Sequence, residues 1–405
     1  MSSPGRDKEG RLEQMSSGRR FDPLLLVTTM ILVSLGIIMV YSASFVIAGQ
    51  RFGDAYHFLK KQAMAAALGI GLMFFVTKMN YHRWQILALP LLALSGLLLG
   101  ILILPGLRHE IGGSARWLRF SFLSFQPAEL AKLALVIYLA RSLTKKEGKM
   151  KSFKMGFLPH VIVLGVLFAL VLKQPDFGTG IVLAALVFLL LFAAGTRLLF
   201  LGSAVLAAVP AFFYLATRAH YRMERLLIYL NPWNDPSNAG FQIIQSFLAF
   251  GAGKVFGVGL GDGRQKLFYL PEVHTDFIFS VIGEELGLVG VTVVIGLFVF
   301  LIIRGFRACY RAPDLFGTYL ALGMTLLIAI QTFLNMGVVM GLLPTKGSTL
   351  PFISYGGTSL MISLMAVGIL LNISSQGGEL RDENHHRRGG DGRASLPGPG
   401  SHGSF

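Results

Sequence analysis

Long apolar runs dominate this sequence and limit what it can fold into. Ten occur, at roughly residues 23–46, 60–78, 84–104, 127–143, 156–172, 178–194, 198–216, 276–303, 315–339 and 357–374. A transmembrane α-helix takes about 20 predominantly apolar residues, and most of these runs approach or exceed that length. Of the 405 residues, 53% are hydrophobic and only 14% are charged. We therefore predict an all-α polytopic membrane protein with about ten transmembrane helices.

The positive charges are distributed as expected for a protein with both termini in the cytoplasm. Lysines and arginines follow the runs that return to the inner side, at Lys78 and Arg83, in residues 145–154, at Arg197 and in residues 304–311. Cytoplasmic loops retain such residues, so they explain much of the net charge of +15 without a nucleic-acid partner. The single cysteine, Cys309, excludes a disulfide framework.

Three regions are predicted along the chain. Residues 1–21 form a disordered basic cytoplasmic tail, residues 22–375 the transmembrane domain, and residues 376–405 a second disordered cytoplasmic tail. The largest extracytoplasmic loop is predicted between spans 7 and 8, over residues 217–275.

The predicted outer loops also carry many cations, against the usual charge asymmetry. These are Arg108, Arg116, Arg119, Arg218, Arg222, Arg225, Lys254, Arg264, Lys266 and Lys346. Each alone is explained as a solvated charge, but the group indicates an anionic, phosphate-bearing ligand at the outer leaflet. The glycine-rich segment 257–263 lacks the strand and the GKS or GKT sequence of a nucleotide loop, so we predict a flexible loop there.

Asp276 stands where the polar segment 271–276 passes into a long apolar run. No proline occurs from Asp276 to Ile303, so the pattern predicts one helix of about 42 Å with Asp276 at a membrane mouth. Ser280, Gly283 and Gly287 follow on the same face, which we expect to be small and open. Glu284 and Glu285 are expected near the membrane interface. The simpler alternative is that Asp276 only stabilises a helix N-terminus.

Three further polar stretches are predicted on the outer side, at residues 113–132, 173–179 and 344–359. In the first, Glu129 and Lys132 are three residues apart on a helix and can form an ion pair. Residues 173–179 are explained equally well as a simple turn between two helices. Residues 344–359 are rich in proline and glycine. Non-helical backbone at membrane depth needs cover from protein or a water-filled cavity. We therefore predict one outward-facing polar cavity that collects these stretches and Asp276.

Four of these segments carry a family resemblance. LPEVHTDFIFSVIGEELG, LPTKGSTLPFISYGGTSL, GSARWLRFSFLSFQPAELAK and KQPDFGTG resemble the signature segments of the SEDS family (shape, elongation, division and sporulation), most closely its FtsW branch. The resemblance covers roughly residues 22–375. It implies a peptidoglycan glycosyltransferase that polymerises lipid II, an undecaprenyl-pyrophosphoryl disaccharide-pentapeptide, on the periplasmic face of the inner membrane.

The resemblance also implies roles for individual residues. The essential aspartate of the family falls on Asp276, which is predicted as the catalytic general base. The motif lysine falls on Lys346, and the candidate substrate-binding residues are Lys346, Arg116, Lys132, Arg222 and Ser354. A divalent cation, Mg²⁺ or Mn²⁺, is a possible cofactor whose ligands the sequence does not identify.

Two other functions compete with this one. A lipid II flippase would also use ten spans and intramembrane charge, but it would need polar groups at both faces, whereas these cluster outside. A scaffold that only recruits a transpeptidase would explain the long outer loop. It would not explain why Asp276 stands at the head of a helix face of small residues.

The resemblance further implies partners at the division septum, above all a monofunctional penicillin-binding transpeptidase, together with other membrane proteins of the division machinery. Small residues favour helix contacts in lipid, so spans 8 and 9 are the predicted docking surface. Their glycines are Gly287, Gly290, Gly296, Gly317 and Gly323.

Overall fold

A computed structural model describes residues 21–104, 109–111, 114–120, 123–217, 228–236, 240–263, 274–345 and 347–390. Each predicted apolar run coincides with a helix, so the all-α membrane class is confirmed. The helices are α1 (Pro23–Phe52), α2 (His57–Lys78), α3 (Arg83–Ile101), α4 (Pro127–Lys145), α5 (Leu158–Leu172), α6 (Phe177–Ala193), α7 (Leu198–Thr217), α8 (Phe241–Gly253), α9 (Ile278–Tyr310), α10 (Leu315–Val339) and α11 (Gly357–Gly390). The sequence did not predict α8, which lies within the long outer loop.

Seven segments of the described chain are long and apolar enough to cross a membrane. They are α1, α2, α3, Phe153–Leu172, α9, α10 and the first part of α11, Gly357–Gln376. The protein is therefore polytopic, while the count of ten spans and their orientation stay predictions. Helices α6 and α7 contain shorter apolar segments.

Helix α4 differs from a lipid-facing span because other helices surround it. It packs against α3, α6 and α10, and most of its residues are buried. A helix enclosed in this way can carry Glu129 and Lys132 without exposing either charge to lipid. The rest of the core is formed by the close pairing of α2 with α11 and of α9 with α10, with α1 packed across α2 and α9.

A small antiparallel sheet lies in the predicted outer loop between α3 and α4. Its strands are β1 (His109–Ile111), β2 (Ser114–Phe120) and β3 (Leu123–Phe125), in the order β1-β2-β3. Strand β2 pairs with β3 in the register Leu118↔Phe125 and Phe120↔Leu123. The strands are too short to give a periodic signal, which is why the sequence did not predict them.

The prediction of one unbroken helix from Asp276 is wrong in two respects. Helix α9 begins at Ile278, so Asp276 lies in the turn before it, and Gly287 interrupts the helix with φ 64° and ψ −164°. This backbone conformation is essentially restricted to glycine.

The glycine-rich segment after α8 satisfies the backbone groups at this interruption. The Val258 N–H donates to the Glu284 carbonyl at 3.0 Å, and the Leu288 N–H donates to the Lys254 carbonyl at 2.9 Å. Two parallel contacts join Gly259 to Glu285 and Val289 to Val255. The prediction of a flexible loop over residues 257–263 is therefore wrong for residues 257–259, which are docked along the broken helix together with residues 254–256.

The predicted tails lie largely outside the described residues. Residues 1–20 and 391–405 are not described, and α11 continues to Gly390, beyond the predicted end of the transmembrane domain at residue 375. The bounds of the three predicted regions, and the disorder of the two tails, stay predictions.

Candidate functional site

Asp276 lies in a turn that contacts the segment following Lys346. The Asn335 Nδ2 of α10 donates to the Asp276 carbonyl at 2.9 Å and also donates to the Ser348 carbonyl. A Cβ placed on Gly347 would lie 3.0 Å from Asp276 Oδ2, so the carboxylate rests beside the backbone of Gly347. Lys346 itself lies outside the described residues. The structure thus brings the two principal motifs of the sequence together.

The helix face below Asp276 is filled, which corrects the prediction of an open surface. Ser280 is fully buried, and its hydroxyl donates to the Phe277 carbonyl at 2.7 Å. Gly283 packs directly against the Phe250 ring of α8. Glu284 and Glu285 are buried inside the protein, and Ser42 of α1 donates to the Glu285 carboxylate at 2.7 Å. Their position near the membrane interface stays a prediction. Gly283 therefore serves packing between α8 and α9.

His274 joins the Asp276 turn to the loop before α11. Its carbonyl accepts a hydrogen bond from the Tyr355 N–H at 2.9 Å, and its ring lies 4.4 Å from the Phe58 ring. Burial, with a smaller contribution from Arg51, lowers the pKa of His274 to about 4. The imidazole is therefore neutral at pH 7 and adds no positive charge beside Asp276.

Ser354 is committed to the shape of the same loop. Its buried hydroxyl accepts a hydrogen bond from the Leu350 N–H at 2.8 Å, and its carbonyl accepts one from Gln62 of α2 at 3.2 Å. In this conformation the side chain holds the loop together. Substrate binding by Ser354 stays a prediction.

Arg116 of β2 binds the turn between α5 and α6. Its guanidinium donates to the Gln174 carbonyl at 3.1 Å and to the Pro175 carbonyl. The acid of that turn, Asp176, is buried and caps α6 by accepting from Thr179 N–H at 3.0 Å and from the Thr179 hydroxyl at 2.8 Å. Asp176 is therefore structural, as the turn interpretation expects, and Arg116 has backbone partners.

The remaining contacts link the outer stretches into one cluster. Thr358 at the start of α11 donates to the Ser124 carbonyl at 3.0 Å and accepts from the Gln126 N–H at 3.2 Å. Together with the Arg116 and Asn335 contacts, this connects all four polar stretches of the sequence. The four stretches therefore lie together, while the outward-facing cavity predicted to collect them stays a prediction.

Lys132 and Glu129 form the predicted ion pair. The Lys132 Nζ lies 2.7 Å from Glu129 Oε1, and the two side chains are only 4% and 8% exposed. Gln331 of α10 approaches the other carboxylate oxygen at 3.5 Å. Lys132 is thus buried and neutralised in this conformation, rather than presented to a phosphate. Arg222, like Lys346, lies outside the described residues.

The sequence analysis missed the polar residues of α10. Gln331, Thr332 and Asn335 are buried in an otherwise apolar helix, and this break in the apolar pattern was the available signal. Among the described residues, the Thr332 Oγ1, Asn335 Oδ1, Ser348 Oγ and His274 Nδ1 atoms are buried without a hydrogen-bond partner. Buried polar atoms without a partner are rare in folded proteins, and each calls for an explanation. These four lie on the elements that surround Asp276.

The fold and this site define a polytopic membrane protein with an acidic site at one end of its helix bundle. The family model described as cell cycle protein, for FtsW, RodA and SpoVE, matches residues 22–378, so the chain belongs to this family. The resemblance inferred from the four motifs is therefore confirmed.

Individual relatives agree with the family match. The chain is 49% identical to a probable peptidoglycan glycosyltransferase FtsW of Geobacter metallireducens, over 88% of this chain and 95% of that one. It is 44% identical to the stage V sporulation protein E of Bacillus subtilis, over 87% and 96%. A solved chain from work on the structural coordination of polymerization and crosslinking by a peptidoglycan synthase complex matches with a TM-score of 0.73 and 32% identity, over 88% and 98%.

Proposed function

We propose that this protein is a peptidoglycan glycosyltransferase that polymerises lipid II on the outer face of the bacterial cytoplasmic membrane, at the division septum. The observation that carries the proposal is the placement of the Asp276 carboxylate beside Gly347. Gly347 directly follows the motif lysine Lys346 in the sequence. The names of the relatives support the same activity. The test of this proposal is to compare polymerisation of purified lipid II by the wild-type protein and by Asp276→Asn.

The chemistry requires one proton acceptor and one anion-binding group. The 4-hydroxyl of the acceptor GlcNAc attacks the anomeric carbon of the donor MurNAc, and its proton passes to the Asp276 carboxylate. The new glycosidic bond forms as the bond to the lipid pyrophosphate breaks, and undecaprenyl pyrophosphate leaves. Cations stabilise the charge that develops on this leaving group.

Lys346 is the principal candidate for binding the pyrophosphate. Arg116 and Lys132 already have partners inside the protein, whereas Lys346 precedes the residue that contacts Asp276. Among the described residues, no group of three or more His, Cys, Asp or Glu side chains could hold a metal, so Asp276 fits Mg²⁺ or Mn²⁺ only if the substrate phosphates supply further oxygen ligands. A divalent cation bound there would neutralise the leaving pyrophosphate.

Replacing Lys346 by methionine is expected to lower kcat/KM for lipid II by about 10- to 100-fold. This is the loss expected when one charge-assisted hydrogen bond to phosphate is removed. Lys346→Arg keeps the charge and is expected to retain most activity, although the two cations are not equivalent. Initial rates at varied lipid II concentrations measure both variants.

Lys61→Met is the matched control, because Lys61 is an exposed lysine near the start of α2. It should leave the rate within about twofold, as is usual for surface substitutions. Equal activity of Lys346→Met, Lys346→Arg and wild type would show that Lys346 is a solvated loop residue.

A lipid II flippase is the alternative function. In a flippase, Asp276→Asn would impair the transfer of labelled lipid II across liposome membranes. In a glycosyltransferase, the same change removes polymer formation and leaves any transfer unchanged. The two assays on one variant therefore separate the functions.

The proposed partner is a monofunctional penicillin-binding transpeptidase that crosslinks the new strands. One relative of known structure comes from work on a peptidoglycan synthase complex. Two of the glycines predicted to contact its transmembrane helix pack inside the protein instead, since Gly323 packs against Val136 and Leu190, and Gly317 packs against Tyr81. A Cβ added at Gly296 would meet no atom of another helix within 4 Å. We therefore propose docking on the outward face of α9 around Gly296.

A photocrosslinking residue at position 293 is expected to capture the transpeptidase in membranes. Val293 is 54% exposed and lies on α9 about one turn from Gly296. The control position is 86, since Ile86 is 75% exposed on the distant α3. Crosslinks from position 86 and none from position 293 would place the partner on a different surface.

A further inference from the structure

We propose that Asn335 is a positioning residue that fixes the Asp276 carboxylate for catalysis by clamping the two loops on either side of it. This inference rests on the proposed function of Asp276. We assign Asn335 no contact with the substrate, so it affects the rate only through the position of Asp276.

The clamp consists of the two amide hydrogens of one side chain. Asn335 Nδ2 donates one to the Asp276 carbonyl at 2.9 Å and the other to the Ser348 carbonyl. A primary amide has two donors, so this donor group is fully used. Asp276 and Ser348 are 59 and 13 residues away in sequence. One side chain therefore sets the separation of two loops that the chain does not connect locally.

The carboxylate lies beside one of the two clamped loops. Gly347, the residue before Ser348, is the backbone that rests against Asp276 Oδ2. A change in the separation of the two loops would therefore move the carboxylate relative to Gly347. A misplacement of about 1 Å in a catalytic group can cost about 10²-fold in rate.

The surroundings of Asn335 suit a positioning role. The residue is 1% exposed on α10, a helix of 25 residues packed on several neighbours, so the amide has a rigid base. Its Oδ1 has no hydrogen-bond partner among the described residues. A leucine would fill this position without the cost of burying an unpaired amide oxygen. We therefore explain the amide by the two backbone carbonyls that its N–H groups bind.

The test compares Asn335→Leu with Asn335→Gln in the full-length protein. Asn335→Leu removes both donors, and we expect kcat for lipid II polymerisation to fall by about 10²-fold with KM within about twofold. Asn335→Gln keeps both donors but shifts them by one methylene, so kcat should fall about tenfold, again at unchanged KM. If Asn335 served only to pair the two buried carbonyls, Asn335→Gln would retain the full kcat.

Thr325→Val is the matched control on the same helix. Thr325 is buried and donates to the Ala321 carbonyl at 2.8 Å, so valine removes a buried hydrogen bond of α10 far from Asp276. Its kcat should be unchanged. Thermal unfolding of all variants separates loss of fold from loss of rate, and Asn335→Gln decides the question if Asn335→Leu does not fold.

The proposal is overturned by wild-type kcat in a folded Asn335→Leu or Asn335→Gln, or by a rise in KM alone. A double variant with Asp276→Asn adds a second criterion, since a residue that acts through Asp276 should cause no further loss there. An Asp276→Asn protein with near wild-type glycan synthesis would instead refute the proposed role of Asp276 as the base. The two failures are therefore distinguishable.

Discussion

The Asp276→Asn protein is expected to polymerise lipid II about 10²- to 10⁴-fold more slowly than wild type, the range typical for loss of a general base. Asparagine keeps the size of the side chain, and the contact from Asn335 is made to the backbone carbonyl, which the substitution leaves in place. The amide cannot accept the proton of the attacking hydroxyl. Folding and lipid II binding should therefore survive. The measurement is glycan-strand formation from purified lipid II, with thermal unfolding recorded in parallel.

Asp262→Asn provides the same chemical change at an exposed acid in the glycine-rich segment. It should retain a rate within about twofold of wild type, as expected for a surface position. A folded Asp276→Asn protein with near wild-type glycan synthesis would mean that Asp276 is not the base.

Gly287→Ala is expected to destabilise the protein by about 2–6 kcal/mol. The backbone at φ 64° and ψ −164° disfavours any residue with a Cβ by about 1–3 kcal/mol. The added methyl would also overlap the Gly257 nitrogen and the Val255 carbonyl, and overpacking costs a further 1–3 kcal/mol or so. The expected result is a lower unfolding temperature and a reduced yield of monodisperse protein in detergent.

Gly296→Ala is the matched control within the same helix. Nothing lies within 4 Å of a Cβ at that position, and alanine is the better helix former by about 1 kcal/mol. This variant should therefore be as stable as wild type or more stable. Equal stability of Gly287→Ala and Gly296→Ala would show that the helix is not interrupted at Gly287.

The sequence predicted the features that depend on neighbouring residues. Apolar runs became helices because backbone groups in hydrocarbon must be satisfied within the segment, and helices do this locally. The Glu129–Lys132 pair follows from the same regularity, since residues three apart share a helix face. The motifs identified the family, and their order along the chain placed Asp276, Arg116 and Lys346 on the predicted outer side.

The tertiary structure decided what depends on distant residues. The interruption at Gly287 exists because residues 254–259 pair with the broken helix, and no apolar periodicity reports such a pairing. The structure also showed that Ser280 is buried and that Gly283 is covered by Phe250 of α8, so this face is packed rather than open. The contact of Asn335 with Asp276 and Ser348 joins positions 59 and 13 residues apart. The sequence by itself determined which segments form apolar helices and which of their residues are polar, whereas only long-range hydrogen bonds and packing fixed which of those residues meet.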